Sequence, residues 1–336
     1  MNSPEGSPRP NHPKPVIFGC SGPALTVEER RFFAETLPLG FILFERNCKD
    51  PRQVIRLVAE LKEITGRAAT PILIDQEGGR VQRLKPPHWR NAPPASVFGA
   101  LAARDMALAR EAARLNARLI AAELSDLGIT VDCAPVLDVP GPKAHPIIGD
   151  RAYGGDPDTV TALGLATAEG LLSGGVLPVV KHIPGHGRAT ADSHQELPVV
   201  DADAADLEAV DFKPFRALSH MPWAMTAHVV YRALDAENPA TTSPGVISQT
   251  IRGAIGFEGV LITDDIGMKA LEGQFQERAA AGLAAGCDLV LHCSGDLAEM
   301  EAVARGTGAI GDQAAARLGL GEAMRERAGD WDAKAA

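Results

Sequence analysis

The hydrophobic residues of the chain fall into eight short, continuous runs with helix-like stretches between them. Continuous runs, rather than alternating ones, indicate strands that are buried on both faces, as in a parallel sheet. The eight predicted strands cover residues 16–19, 39–44, 71–74, 129–136, 176–180, 223–229, 260–263 and 288–291.

The stretches between these runs carry helix-start signals and a helical period. Thr26 can cap a helix that continues through Glu28 and Glu29, and Asp50 followed by Pro51 begins a second one. Further helices are predicted over 104–127, 156–173, 203–219, 248–255, 277–285 and most of the remainder to 327. Eight strand–helix units in 336 residues predict an α/β fold, a TIM-like (β/α)8 barrel in a single domain. A doubly wound open sheet is the alternative, but no G-x-G-x-x-G stands between a strand and a helix.

Composition separates a short N-terminal segment from the folded domain and argues against two classes of partner. A hydrophobic content of 45% and a charged content of 23% are ordinary for a globular protein. The net charge of −10 argues against nucleic acid and anionic membrane surfaces as partners. No run of about 18 apolar residues predicts a membrane-spanning helix. Residues 1–14 are rich in proline and polar residues and predict a disordered lead-in, so the folded domain is predicted over 15–336.

The cysteines indicate a reducing compartment. Their number is odd and no C-x-x-C pair occurs, so neither a disulfide framework nor a zinc knuckle is expected. Free thiols and a cytoplasmic location are predicted. The five residues are Cys20, Cys48, Cys133, Cys287 and Cys293. The sequence does not determine the oligomeric state, and a monomer is compatible with it.

Polar side chains cluster at the carboxyl ends of five predicted strands. In a barrel these ends meet on one face, where active sites of this fold lie. One such strand end could be merely a solvated terminus or a structural ion pair, but five together indicate an enzyme. In chain order the residues are Asp75, Glu77, Arg80, Arg83, Asp132, Asp138, Asp150, Arg151, Lys181, His182, His186, Asp192, His194, His228, Asp264 and Asp265.

One chemistry that could use this set is metal-assisted hydrolysis. Its ligands would be His182, His186, His228 and Asp264. Two observations argue against it. The segment from His182 to His186 contains Pro184 and Gly185, so helical spacing cannot align the two imidazoles. A barrel metallohydrolase would be expected to have an H-x-H sequence at the end of its first strand, and this chain has none there. No metal or other cofactor is therefore predicted.

The second chemistry is glycosyl transfer to water. It requires a carboxylate nucleophile, a proton donor and groups that hold sugar hydroxyls. Asp264 ends a buried strand and is a candidate nucleophile. Lysine and arginine donate hydrogen bonds to hydroxyl or carbonyl oxygens, and aspartate accepts them. The candidate sugar-binding residues are Asp75, Arg83, Arg151, Lys181 and His182.

Seven segments, in this order, resemble those of glycoside hydrolase family 3 β-N-acetylglucosaminidases. They read ILFERN, IDQEGGRVQR, CAPVLDV, GDRAY, KHIPGHGRATADSH, MTAHVVY and ITDDIGM, and the resemblance extends from about residue 16 to about residue 293. It implies a TIM-like barrel that hydrolyses terminal, non-reducing β-linked N-acetylglucosamine. In the single-domain bacterial members, which act in peptidoglycan recycling, the typical substrate is N-acetylglucosaminyl-1,6-anhydro-N-acetylmuramic acid with its stem peptide.

The resemblance also implies roles for individual residues. Asp264 would be the nucleophile that forms a glycosyl-enzyme ester. His194 would act as general acid and then as general base, with Asp192 as its partner. The sugar would be bound by Asp75, Arg83, Arg151, Lys181 and His182.

The Asp192–His194 pair is chemically suited to proton transfer. Histidine has an unperturbed pKa near ~6.5, so it can donate and accept protons near neutrality without the tuning that a carboxylic acid needs. Asp192 could fix the tautomer of His194 and stabilise its charged form. The alternative is an Asx-type turn at Asp192 that merely shapes the loop.

Two further alternatives remain at this stage. Adjacent acidic residues such as Asp264 and Asp265 also occur in substrate-assisted hexosaminidases, in which the acetamido oxygen attacks and no enzyme ester forms. Neighbours on a strand face opposite ways, so only one of the two can point at the sugar. A sugar-binding protein that has lost catalysis is the non-enzymatic alternative, and the presence of Asp192, His194 and Asp264 argues against it.

Overall fold

The computed structural model describes residues 13–142, 144–193 and 195–329. Eight parallel strands close into a barrel in the order β1, β10, β9, β7, β5, β4, β3, β2, and a separate two-stranded parallel sheet pairs β6 with β8. The predicted (β/α)8 barrel is therefore confirmed. The strands are β1 (Lys14–Gly19), β2 (Pro38–Leu43), β3 (Ile72–Ile74), β4 (Val131–Asp132), β5 (Leu177–Ile183), β6 (Val199–Val200), β7 (Trp223–Thr226), β8 (Val230–Tyr231), β9 (Val260–Asp265) and β10 (Leu289–His292).

Helices follow the barrel strands and surround them. They are α1 (Val27–Thr36), α2 (Pro51–Thr65), α3 (Ala95–Ala102), α4 (Met106–Asp126), α5 (Pro157–Ser173), α6 (Ala204–Asp206), α7 (Phe212–Ala217), α8 (Phe275–Ala285), α9 (Leu297–Arg305) and α10 (Asp312–Gly329). Two segments have π-helical geometry, namely Leu207–Asp211 between α6 and α7, and Val246–Ala254 before β9. Short 3-10 turns occur at Glu45–Asn47, Gly149–Arg151 and Ala240–Thr242.

The helix starts follow from side chains that satisfy the free backbone N–H groups of the first turn. The Thr26 hydroxyl accepts a hydrogen bond from the amide of Glu29, whose carboxylate accepts one from the amide of Thr26. This reciprocal pair is a capping box. Asp50 accepts from the amide of Gln53, and Pro51 occupies the first turn of α2. Both predicted helix starts are confirmed.

Apolar side chains fill the barrel and the layer between barrel and helices. The barrel interior contains, among others, Ile17, Leu73, Val179, Trp223 and Ile262. Burial of each strand on both faces explains why its sequence reads as a continuous apolar run. This packing leaves the carboxyl ends of the strands as the place where polar side chains can converge.

Three predictions from composition concern the cysteines, membrane-spanning helices and the N-terminal residues. The five cysteines are free thiols. Within the described ranges, no helix combines the length and apolar character that crossing a bilayer requires. Residues 1–12 of the predicted lead-in lie outside the described residues, and β1 begins at Lys14.

Candidate active site

The carboxyl ends of the barrel strands surround a cavity of about 280 Å³. Six of the eight predicted site residues line it together, which brings side chains from β5, β9 and the loops after β3 and β4 to one place. The six are Asp75, Arg83, Arg151, Lys181, His182 and Asp264; Phe44, Arg80, His186, Ser193, Asp265, Met268 and Cys293 also contribute to the wall.

Five side chains of alternating charge form a continuous charge chain across one side of the cavity, in the order Arg83, Asp75, Lys181, Glu77, Arg151. Nη2 of Arg83 donates to Oδ2 of Asp75 at 2.8 Å, and Nζ of Lys181 donates to Oδ1 at 2.9 Å. The same Nζ lies 2.7 Å from Oε1 of Glu77. Arg151 donates to both oxygens of Glu77, from Nε and Nη2, at 2.8 Å each.

The charge chain keeps its members ionised although they are buried. Burial by itself would raise the pKa of Asp75, but Lys181 and Arg83 lower it by more, so it lies well below its usual range. In the same way, Arg151 and Lys181 outweigh burial and lower the pKa of Glu77 to about 2. Burial opposes the charge on Lys181, but Asp75 and Glu77 raise its pKa above the ordinary value. Two carboxylates therefore face three cations.

Asp138, in the loop after β4, orients His182. Oδ2 of Asp138 lies 2.7 Å from Nδ1 of His182, and Oδ1 accepts from the backbone amide of His186 at 2.7 Å. Burial raises the pKa of this carboxyl, but His182, His186 and these hydrogen bonds lower it to about 2. An ionised carboxylate only accepts hydrogen bonds, so Nδ1 of His182 carries the proton. The tautomer of His182 is thereby set by its neighbour.

Asp264, the residue before the last one of β9, lines the cavity. Burial raises the pKa of its carboxyl, but His182, His228 and the amide of Asp265 lower it by more, and the resulting pKa is below the ordinary value. That amide donates to Oδ1 of Asp264 at 2.8 Å. Asp264 is thus a buried carboxylate that is ionised at neutral pH, which is the state a nucleophile requires.

The neighbouring Asp265 has a different environment. Its Oδ1 accepts from the amides of Gly267 at 2.9 Å and Cys293 at 3.2 Å, which ties the loop after β9 to the end of β10. Burial raises the pKa of Asp265, and the charge of Asp264 adds to this shift. The two adjacent carboxyl groups therefore have pKa values that are shifted in opposite directions.

The imidazole of His228 is fully engaged. Nδ1 lies 2.7 Å from Oγ1 of Thr241, and Nε2 lies 3.0 Å from the carbonyl oxygen of Asp265. Burial lowers the pKa of His228. No nitrogen of His228 is left for a metal ion in this arrangement. Within residues 13–142, 144–193 and 195–329, no three His, Cys, Asp or Glu side chains are grouped so that they could hold one.

The described residues on either side of His194 are joined by backbone hydrogen bonds. The carbonyl oxygen of Asp192 accepts from the amides of Gln195 at 2.8 Å and Glu196 at 3.0 Å. Ser193 lines the cavity, and its hydroxyl lies 3.4 Å from Nε2 of His186. His194 lies outside the described residues, so its predicted role stays a prediction.

Three side chains that shape the site were given no role from the sequence: Phe44, Glu77 and Asp138. Guanidinium groups of Arg46 and Arg83 stand 4.9 and 5.0 Å from the Phe44 ring centroid. Glu77 and Asp138 stood among the strand-end residues, but their order along the chain does not reveal which side chains they bind. Glu77 lies in IDQEGGRVQR and Asp138 in CAPVLDV, two of the segments that carry the family resemblance. This position was the sequence signal that could have pointed to a role in the site.

Comparison with known proteins identifies the family of the chain. The sequence profile of the glycosyl hydrolase family 3 N-terminal domain matches residues 25–314. A β-hexosaminidase of Alkalilimnicola ehrlichii is 39% identical over 284 residues, 83% of this chain and 80% of that protein. Another, from Aromatoleum aromaticum, is 37% identical over 317 residues, 93% of this chain and 87% of that protein.

Solved structures lead to the same family. The crystal structure of native NagZ from Neisseria gonorrhoeae superposes with a TM-score of 0.85 at 34% identity, covering 94% of this chain and 93% of that one. The same protein in complex with N-trifluoroacetyl-D-glucosamine also gives 0.85 at 34% identity, covering 95% and 94%. The chain therefore belongs to glycosyl hydrolase family 3, and it is a glycoside hydrolase of the β-N-acetylhexosaminidase type.

Proposed function

We propose that the enzyme is a retaining exo-β-N-acetylglucosaminidase that removes terminal, non-reducing β-linked N-acetylglucosamine through a covalent intermediate on Asp264. The observation that carries this proposal is the ionised carboxylate of Asp264 in the cavity that the charge chain also lines. A donor-rich wall beside a carboxylate suits a polar ring that carries hydroxyl and acetamido groups. A solved relative bound to N-trifluoroacetyl-D-glucosamine supports this choice of sugar.

The proposed reaction has two displacements. Asp264 attacks the anomeric carbon while the imidazolium of His194 gives its proton to the glycosidic oxygen, so the C–O bond breaks and the aglycone leaves as an alcohol. His194 then takes a proton from water, the resulting hydroxide attacks the same carbon, and the Asp264 carboxylate is released. Asp192 holds the imidazole of His194 in the required tautomer. Two inversions give net retention of the β configuration.

The sugar-binding roles follow from the cavity wall. We assign Arg83, Arg151 and Lys181 to oxygen atoms of the sugar, because their charged donors line the cavity. His182 has Nδ1 directed to Asp138, which leaves Nε2 for the substrate. Asp75 anchors Arg83 and Lys181 and can accept a hydroxyl proton.

Fluorosugar trapping tests the nucleophile. Turnover of p-nitrophenyl N-acetyl-β-glucosaminide should be abolished by Asp264→Ala and strongly reduced by His194→Ala. A 2-fluoro or 5-fluoro glycosyl donor should label Asp264, as read by mass spectrometry of the digested protein. Labelling of a different residue, or no label under conditions of turnover, would instead favour attack by the acetamido oxygen.

We further propose that the natural substrates are N-acetylglucosaminyl-1,6-anhydro-N-acetylmuramic acid muropeptides and that the reaction belongs to cytoplasmic peptidoglycan recycling. The resemblance to single-domain family members supports the substrate, and five free thiols support a reducing compartment. The kcat/KM for this muropeptide should exceed that for chitobiose. Equal or reversed values would assign the enzyme to chitin-like fragments.

A further inference from the structure

Glu77 lies behind the substrate cavity. Its side chain is only 7% exposed. It lines a separate small cavity of about 20 Å³, together with Gln76, Asp132 and Tyr153. Its two partners, Arg151 and Lys181, line the large cavity instead. Glu77 therefore forms the layer between the sugar-facing cations and the protein interior.

The contacts of Glu77 orient both cations. Two parallel N–H···O bonds to Arg151, each 2.8 Å long, fix the plane of its guanidinium group, which a single contact could not do. Oε1 also lies 2.7 Å from Nζ of Lys181. Nη1 of Arg151 has no part in these contacts with Glu77, and Arg151 lines the large cavity.

Arg151 depends on this support more than Lys181 does. Lys181 stands on strand β5 and has a second carboxylate, Asp75, as partner. Arg151 stands in the 3-10 turn Gly149–Arg151 of a long loop, and its side-chain hydrogen bonds within the described residues go to Glu77. The charge of Arg151 also opposes that of Lys181, since it lowers the pKa of the lysine. Glu77 offsets this repulsion because it contacts both.

We propose that Glu77 is a positioning residue for the glycone. It holds Arg151 and Lys181 so that their remaining N–H groups converge on the sugar, and it does not contact the sugar itself. This inference rests on the proposed glycosidase function.

The test is Glu77→Gln, which keeps the shape of the side chain and removes its charge. KM for p-nitrophenyl N-acetyl-β-glucosaminide and Ki for free N-acetylglucosamine should both rise at least tenfold, with a smaller change in kcat. Glu77→Asp should restore part of the affinity because it keeps the charge. The matched control is Glu45→Gln, which breaks an exposed ion pair with Lys85 and should leave both constants within twofold.

A double-mutant cycle separates positioning from general destabilisation. If Glu77 acts through Arg151, Glu77→Gln should cost at least threefold less affinity in the Arg151→Gln background than in the wild type. An equal cost in both backgrounds, or a Ki within twofold of wild type for Glu77→Gln, would overturn the proposal. If Glu77→Gln does not fold, a wild-type Ki for Glu77→Asp would overturn it in the same way. Failure of the wild-type enzyme to turn over the substrate would instead reject the proposed function.

Discussion

At the scale of single residues, the site depends on buried carboxylates whose charge is stabilised by specific partners. Asp138 is fully buried and accepts hydrogen bonds from His182 and His186. Asp75 and Glu77 are paired with three cations. Buried ion pairs seldom add net stability, because desolvation opposes their attraction. We therefore interpret these charges as a means of orienting donors toward the cavity.

The lowered pKa of Asp138 predicts a pH-dependent contribution to stability. Its pKa is about 2 in the folded protein, compared with ~3.9 when unfolded. A carboxyl with a lowered folded-state pKa stabilises the fold above its unfolded pKa, and this stabilisation is lost as the pH falls toward about 2. Asp138→Asn should therefore reduce the free energy of unfolding by about 2 kcal/mol at pH 7. The deficit should shrink between about pH 4 and pH 2.

Urea unfolding of wild type and variant across this range is the measurement. Asp158→Asn is the control, since Asp158 forms an exposed ion pair with Lys213 and should have little effect at any pH. A deficit for Asp138→Asn that is the same at pH 7 and pH 2.5 would contradict the assigned ionisation.

The residues that could be predicted as site residues are those whose type and place after a strand both indicate chemistry. Asp264, Asp75 and Lys181 ended buried runs, and the barrel face brought them together. The roles of Glu77 and Asp138 could not be predicted, because they depend on which side chains fold against them. Partner choice is a property of three-dimensional packing.

At the scale of elements, the barrel strands and most helices were predictable for a physical reason. Strands buried on both faces read as continuous apolar runs, and helices of the outer layer have one apolar face. The two-residue strands β6 and β8 form a sheet that was not predicted. Helix α3 was also missed. The predicted helix over 248–255 is instead a π-helical segment, Val246–Ala254, and hydrophobic periodicity does not distinguish these geometries.

Helices α4 and α5 pack closely because α5 presents glycine at their contact. A Cβ at Gly170 would stand 2.3 Å from the carbonyl oxygen of Arg114 and 2.8 Å from Cβ of Ala117. Gly170→Ala should therefore destabilise the protein by about 1–3 kcal/mol, although alanine is the better helix former. Calorimetric unfolding temperatures would measure this.

A second helical glycine supplies the matched control. A Cβ at Gly319 in α10 would meet no atom within 4 Å. Gly319→Ala should raise the unfolding temperature, with a gain of up to about 1 kcal/mol. Effects of the same sign at both positions would show that close packing of α4 on α5 is not what requires Gly170.

At the scale of the whole molecule, the barrel unites distant parts of the chain. β1 pairs with β2 on one side and with β10 on the other, where Val16 lies opposite Val290 and Ile17 opposite Leu291. Nζ of Lys14 donates to the carbonyl oxygens of Ala304 at 3.0 Å and Thr307 at 2.7 Å. The barrel is closed by the pairing of its first strand in the sequence, β1, with its last, β10.

This closure has a consequence for a chain that is still being synthesised. β10 pairs with β9, so the strand that carries Asp264 has an open edge until residues 289–292 have emerged from the ribosome. The cavity-lining residues that follow β3 or stand on β5 emerge earlier, but the part of the cavity wall that contains Leu291 and Cys293 is then still missing. Premature termination before β10 therefore leaves two strand edges free to pair with other chains. Truncated products of this gene that end before β10 should therefore aggregate and be inactive. No hydrolytic activity should arise before β10 has been synthesised.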